Sequence, residues 1–196
     1  MTEQELVRAA QKGGQDAFAQ LVEQNQGKIY NLCYRMTGNP EDAADLTQEA
    51  FLNAWRGLSK FGGQSAFSTW LYRLASNACI DFLRREKRRN ALSMTLDEEE
   101  GENGREAQIP DERYSPHREL ERKEAHEALQ RGLTSLSPEH RQVLLLREIQ
   151  GLSYTEIAQC LGLEEGTVKS RIARARLSLK DYLQKSGNFS SPPPSK

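Results

Sequence analysis

No apolar run in this sequence approaches the ~20 residues that span a bilayer, so no direct membrane insertion is expected. Cysteine is scarce: Cys33, Cys79 and Cys160 are far apart and odd in number. That pattern fits neither a disulfide framework nor a metal-ligand spacing. Each lies in a helical apolar pattern, so buried, reduced thiols are expected, and with them a cytoplasmic location. The three histidines, His117, His126 and His140, stand without a nucleophile or metal partner at useful spacing. There is no phosphate-binding P-loop and no dinucleotide fingerprint. Neither catalysis nor a cofactor is expected from such a chain. The first residues, MTEQELVRAAQKGG, are polar and mixed in charge, unlike a secretory signal. Strand-like alternation is missing as well, which leaves an all-α chain.

An excess of one charge is also lacking, since the net charge is −1 over 196 residues. The average conceals a pattern. Arg84 to Arg89 (RREKRR) carries five positive residues and one negative. Asp97 to Arg113 carries eight acidic and two basic residues, and Gly166 to Lys185 six basic and one acidic. Two basic patches are thus separated by an acidic segment, a distribution that points to nucleic acid more than the net charge does.

Helical spacing divides the chain. Thr2 and Glu5 predict a capping box for a first helix that Gly13-Gly14 interrupts. Ala17, Phe18, Leu21 and Val22, continued by Ile29, Leu32, Cys33 and Met36, mark a second, stopped by Gly38. Asn39-Pro40 opens a third, with Ala43, Leu46, Ala50, Phe51, Ala54, Trp55 and Leu58 as its apolar stripe. Ser59 to Ser65 (SKFGGQS) reads as a loop. A fourth helix carries Phe67, Trp70, Leu71, Leu74, Ala75, Ala78, Phe82 and Leu83 and runs into the basic cluster. Residues 91–114 have no sustained periodicity and read as a flexible acidic linker. Ser115-Pro116 and Ser137-Pro138 open two further helices, the latter carrying Val143, Leu144, Leu146 and Ile149. Residues 186–196, ending in SSPPPSK, read as a disordered tail. Two small helical domains, 1–90 and 115–185, are expected.

The segment LSYTEIAQCLGLEEGTVKSRIARARLSL carries the strongest local motif. Ser153 and Glu156 predict a capping box for a helix ending near Leu161, and Gly162 sits where a tight turn needs positive φ. Ala158, Gly162 and Val168 supply the small crossing residue, the turn glycine and the apolar anchor of a helix-turn-helix. With Val168 and Ile172 turned inward, the second helix presents Lys169, Ser170, Ala173 and Arg174, with Arg171 and Arg176 toward its flank. Such a face suits a DNA major groove.

The N-terminal half narrows this reading. The run EDAADLTQEAFLNAW followed by FGGQSAFSTWLYRLASNACIDFLRR resembles the second conserved region of bacterial sigma factors. The run SPEHRQVLLLREIQGLSYTEIAQCLGLEEGTVKSRIARAR resembles their fourth region. Both occur in order, at the separation of the extracytoplasmic-function (ECF) group, over residues 4–90 and 116–183. The resemblance implies a factor that binds core RNA polymerase, recognises the −10 and −35 elements of promoter DNA and promotes melting. It places Asp45, Gln48, Glu49 and Asn53 against the clamp helices of the polymerase. It assigns Phe61, Gly62, Gly63, Gln64 and Ser65 to a loop that captures a base flipped from the −10 element. Trp70, Tyr72, Arg73, Asn77 and Asp81 lie on or beside the following helix, with Asn77 near that base; Trp70 also lies on the apolar stripe, where a core role competes with base stacking. Arg84, Arg85, Lys87, Arg88 and Arg89 would bind phosphate. In the second domain Lys169, Ser170, Ala173 and Arg174 would face the −35 element, and Arg141, Arg171 and Arg176 would hold phosphates. The small Ala173 departs from some relatives and leaves the preferred −35 sequence open. The acidic linker would run toward the RNA exit path of the polymerase. Factors of this group usually have an anti-sigma factor, often membrane-anchored, and two domains on a linker permit a closed, inhibited arrangement. A free-standing helix-turn-helix regulator is the alternative, but it gives the TWLYRLASNACIDFLRR helix no task.

Overall fold

Helix starts in this chain are set by side chains that accept from otherwise unpaired N–H groups of a first turn. In the computed structural model, which describes residues 1–93 and 116–186 and side chains over 1–91 and 122–186, the caps predicted at Thr2, Asn39, Ser137 and Ser153 form, while Ser115 lies outside the described residues. Thr2 Oγ1 accepts from the Glu5 N–H at 3.3 Å, and the Thr2 N–H donates back to Glu5 Oε2 at 2.8 Å. Asn39 Oδ1 accepts from the N–H groups of Glu41 and Asp42 at 2.8 and 3.2 Å. Ser137 Oγ accepts from His140 at 3.3 Å. Ser153 repeats the reciprocal box with Glu156 at 3.1 and 2.8 Å.

The resulting helices are α1 (Glu3–Gln11), α2 (Gln15–Thr37), α3 (Pro40–Gly57), α4 (Phe67–Ser93), α5 (Pro116–Ser135), α6 (Pro138–Glu148), α7 (Tyr154–Leu161) and α8 (Glu165–Lys185). A short 3₁₀ turn, Leu58–Lys60, occupies the start of the segment expected to be a loop. Among the described residues there is no strand. The basic run Arg84–Arg89 lies within α4, which continues to Ser93. The expected linker lies outside the described residues beyond Ser93, and the expected tail beyond Ser186. No described helix is long and apolar enough to cross a membrane.

Glu5 and Glu156 sit below the ordinary carboxylate value of 4.5, first through the backbone hydrogen bonds from Thr2 and Ser153. A carboxylate depressed in the fold stabilises fully above its unfolded value, and that contribution is lost as pH falls through the folded one. The urea midpoint is therefore expected to drop as pH is taken below 4.5. A Glu5→Gln, Glu156→Gln double variant should show a shallower drop in parallel urea titrations.

Packing follows the apolar stripes. Leu21, Ile29, Leu32 and Met36 of α2 meet Ala43, Leu46 and Ala50 of α3 and Leu71, Ala75 and Cys79 of α4, all buried. In the second half Leu145 and Leu146 of α6, Ile157 of α7, and Val168 and Ile172 of α8 form the centre. The three cysteines are free and buried as expected, and burial pushes the Cys160 thiol up to about 11. Trp55 and Ile149 correct the sequence reading. Both belong to predicted apolar stripes, yet they are 38% and 47% exposed.

The two halves pack against each other, and their apolar residues form one continuous cluster. The join is built on the C-terminal end of α2, where the last helical carbonyls lack intrahelical partners. Gln130 Nε2 donates to the Tyr34 and Arg35 carbonyls at 3.3 and 3.4 Å. Arg141 reaches the Met36 carbonyl through Nη1 and the Thr134 and Leu136 carbonyls through Nη2, at 2.6 and 3.1 Å for the last two. A cation at a helix C-terminus also meets the negative end of the helix dipole. Burial lowers the Arg141 guanidinium to about 10, so it stays charged at neutral pH.

Candidate nucleic-acid interface and docking surface

The helix-turn-helix is assembled from α7 and α8. Gly162 adopts φ +65°, a left-handed conformation that caps α7 and that a Cβ would strain. The Leu163 N–H donates to the Ala158 carbonyl at 2.9 Å, and Thr155 Oγ1 donates to Glu165 Oε2 at 3.0 Å across the turn. Val168 and Ile172 are buried, as predicted, and Lys169, Ser170, Ala173, Arg174 and Arg176 are exposed while Arg171 is half-buried. Lys169 pairs with Glu165 at 2.6 Å and lies 5.7 Å from the centre of the Tyr154 ring. Arg176 Nε donates to Glu148 at 3.0 Å. These pairs hold two cations extended from the helix but leave them in solvent, where exchange for a phosphate costs little. Ser153 anchors the unit, so Ser153→Ala is expected to cost about 1 kcal/mol of stability, read from urea denaturation.

The predicted base-capturing loop lies between the 3₁₀ turn and α4. Residues 62–66 are exposed, and Gly63 takes φ +71°. Its flank is aromatic: Phe61 packs on Trp70 at 4.8 Å between ring centres and edge-on to Phe67 at 6.1 Å. Trp70 is half-buried: it packs on Phe61 and Phe67 and borders the loop. Arg73 and Asn77 lie exposed one and two turns further along α4, followed by exposed Asp81, Arg84, Arg85, Lys87, Arg88 and Arg89. Arg84, Arg85, Lys87 and Arg88 line a groove of about 850 Å³ together with Glu49.

Two predicted DNA contacts are placed elsewhere. Tyr72 is 5% exposed and points into the helical core, because its position on α4 faces the bundle rather than the loop. Arg141 is 4% exposed and is used by the join between the halves, where its guanidinium caps α2. In this arrangement neither meets solvent enough to touch a phosphate.

The join also covers part of the surface that the resemblance assigns to the −10 element. Gln142 Nε2 donates to Ser76 Oγ at 2.9 Å and to Asn77 Oδ1 at 3.2 Å. Arg84, expected to bind phosphate, pairs instead with the Glu139 carboxylate of α6 at 3.0 Å. Helix α7 roofs a pocket of about 770 Å³ whose floor is Phe61, Gln64, Ser65, Trp70 and Arg73, with Glu156 and Gln159 on the roof. Cys160 Sγ lies 3.7 Å from the Thr69 carbonyl at its edge. Glu139 and Gln142 lie in α6 outside its predicted apolar positions, and no local spacing marks their partners in the other half.

Asp45, Gln48 and Glu49 are exposed on α3 and Asn53 is half-buried. Beside them Leu52 and Trp55 are 55% and 38% exposed. With Phe18, Val22 and Phe51 they line a groove of about 500 Å³ between α2 and α3, and the Phe18 and Trp55 rings sit 4.9 Å apart. Polar residues alone were predicted on this surface. Leu52 lay off the predicted apolar stripe, and that mismatch was the available signal that the surface is apolar.

Comparison with known proteins agrees with the resemblance. The family model for sigma-70 region 2 matches residues 21–89, and that for sigma-70 region 4 matches residues 126–179. The ECF RNA polymerase sigma factor SigW of Bacillus subtilis (strain 168) is 38% identical over 178 residues, 91% of this chain and 95% of that relative. The ECF RNA polymerase sigma-E factor of Escherichia coli (strain K12) is 39% identical over 184 residues, 94% of this chain and 95% of that relative. The structure of CnrH in complex with the cytosolic domain of CnrY superposes with a TM-score of 0.66 at 26% identity, covering 93% of this chain and 97% of the other. With both family models matched in order and relatives of this identity spanning nearly its whole length, the chain belongs to the ECF RNA polymerase sigma factors of the sigma-70 family, transcription initiation factors that direct polymerase to promoters.

Proposed function

We propose that this factor works in the cytoplasm as a dissociable, non-catalytic subunit that grips promoters at two places. Residues 1–90 would dock on the polymerase and take the −10 strand; residues 115–185 would take the −35 duplex. The observation that carries the division is two separate DNA-suited surfaces on one chain: the glycine loop with the basic strip of α4, and the basic N-terminal face of α8.

On the −10 side, an unstacked base would enter beside Phe61 to Ser65, with Asn77 positioned to read its edge. Arg73, Arg84, Arg85 and Arg88 would follow the backbone as point charges. On the −35 side, Lys169, Ser170 and Arg174 would meet base edges across the gap left by Ala173, while Arg171 and Arg176 hold phosphates. Polymerase would dock on Asp45, Gln48, Glu49 and Asn53, with Leu52 and Trp55 supplying the apolar anchor that such an interface needs.

In the free chain the −10 residues are engaged by the second half. Promoter binding then requires the halves to part, which explains in physical terms why such a factor would act through polymerase rather than alone. A protein regulator that favours the packed state would inhibit it. The complex of CnrH with the cytosolic domain of CnrY supports a protein partner of this type. Whether it is membrane-anchored is settled by that partner, not by this chain.

Run-off transcription with purified core enzyme and a genomic template library tests the function: transcripts from two-part promoters are expected, and absence of polymerase binding would refute it. Two variants separate the roles at the −35 element. Arg174→Ala is expected to cost about 1–3 kcal/mol of discrimination against the wrong base. Arg176→Ala should weaken all sequences alike and lower the salt slope of binding by about one. Both are measured on the polymerase complex with matched and mutated −35 duplexes.

A further inference from the structure

The loop from Phe61 to Ala66 has little to hold it. Residues 62–66 are exposed, and Ala66, just ahead of α4, has no side-chain acceptor to cap that helix. Both missing supports come from α1. Gln11 Nε2 donates to the Phe61 carbonyl at 2.8 Å and to the Leu58 carbonyl at 3.0 Å, so one amide group ties the first residue of the 3₁₀ turn to the start of the loop. Glu3 Oε1 accepts from the Phe67 N–H at 3.0 Å. This carboxylate caps α4 from 64 residues away and sits at the positive end of its dipole.

Helix α1 is a firm base for these two contacts. Its capping box is complete, and Leu6, Val7 and Ala10 are buried against the bundle. Gln11 and Glu3 lie at its two ends, so they hold the two ends of the loop about one helix length apart. The Phe61, Phe67 and Trp70 rings pack on one another at the two ends of the loop. A cleft of about 560 Å³ lies between α1 and the loop.

The geometry points to Gln11 and Glu3 as positioning residues for −10 base capture: they fix the loop's two ends so that its open middle is already shaped for an unstacked base. The inference rests on the reading of residues 61–65 as the base-capturing loop. An unclamped loop must be ordered at the moment of binding, and that entropy is subtracted from the captured base alone. Contacts to the −35 duplex and to polymerase do not share the cost.

The test uses the complex of the full chain with core polymerase. The probe is a promoter fork bearing each of the four bases, or an abasic site, at the flipped position. Gln11→Glu keeps the shape but presents oxygen to two carbonyls. It is expected to lower the ratio of best-base to abasic affinity about tenfold, as loss of two hydrogen bonds would. Affinity for the abasic fork, polymerase affinity and −35 discrimination should stay at wild-type values. Glu3→Ala is expected to act in the same direction, and Glu3→Gln, which retains an acceptor oxygen, should restore the ratio. An unchanged ratio in both Gln11→Glu and Glu3→Ala would overturn the proposal. So would a loss shared equally by the abasic fork, which would mark a general folding role. Gln64→Ala with Ser65→Ala separates the two readings. If that pair removes base discrimination while the α1 variants do not, only the clamp falls. If wild type shows no base discrimination at all, the base-capture reading falls and takes the clamp with it.

Discussion

Replacing Leu52 and Trp55 together by aspartate is expected to weaken binding to core RNA polymerase by about a hundredfold or more, the loss typical of removing two central apolar anchors. Leu52 is 55% exposed, and Trp55, at 38%, packs on Phe18 at the rim of the bundle, so the buried core is left in place and thermal unfolding is expected to fall only modestly. That separation of effects is the point of the test, because an apolar anchor matters mainly to the bound state. Asp45, Gln48 and Glu49 sit on the same helix surface and would form the polar rim around it. Single alanine replacements among those three are expected to have small effects. Fluorescence-detected titration of core enzyme measures the affinities; wild-type binding by the double variant would remove this face from the docking surface.

The second large effect concerns the packed state of the halves. Glu139→Ala with Gln142→Ala removes the partner of Arg84 and the donor held by Ser76 and Asn77. The two Gln142 hydrogen bonds are worth about 1 kcal/mol each and the exposed Arg84–Glu139 pair about 0–1 kcal/mol, so affinity of the free chain for a single-stranded −10 oligonucleotide is expected to rise by about thirty- to 150-fold. In the polymerase complex, where the proposed function has the halves apart, the same pair should change little. The comparison of free and polymerase-bound chains therefore reads the packing itself. An equal change in both states would mean that Glu139 and Gln142 act on DNA directly. Arg141 is a poorer choice for this test. Its charge is buried, and its removal leaves the Met36 carbonyl at the end of α2 and the Thr134 and Leu136 carbonyls around the end of α5 without this donor, which damages the fold as well as the join.

Local features of this chain were legible because their causes are local. A capping box needs two residues three apart, and Thr2 with Glu5 and Ser153 with Glu156 form as read. The αL turn at Gly162 and the inward anchors Val168 and Ile172 followed from spacing, and so did the outward face of α8. Stripe membership was less reliable at the edges. Trp55 and Ile149 fit the period yet stay exposed, because a stripe says which residues share a face and not how far the neighbouring helix extends over it. Tyr72, which the resemblance placed on or beside the helix after the loop, is 5% exposed because its register on α4 carries it inward.

The sequence by itself determined an all-α chain, its caps and turns, its helix-turn-helix and the family to which it belongs. All of these rest on contacts between residues a few positions apart or on long runs of matching sequence. The tertiary structure alone decided which groups meet across 50 to 105 residues: Gln11 and Glu3 on the loop before α4, Gln142 on Asn77, and Arg141 on the end of α2. Those contacts join polar groups without any periodic pattern. Their partners are fixed only when packed helices bring an unpaired carbonyl or N–H within reach of a donor or acceptor from elsewhere in the chain.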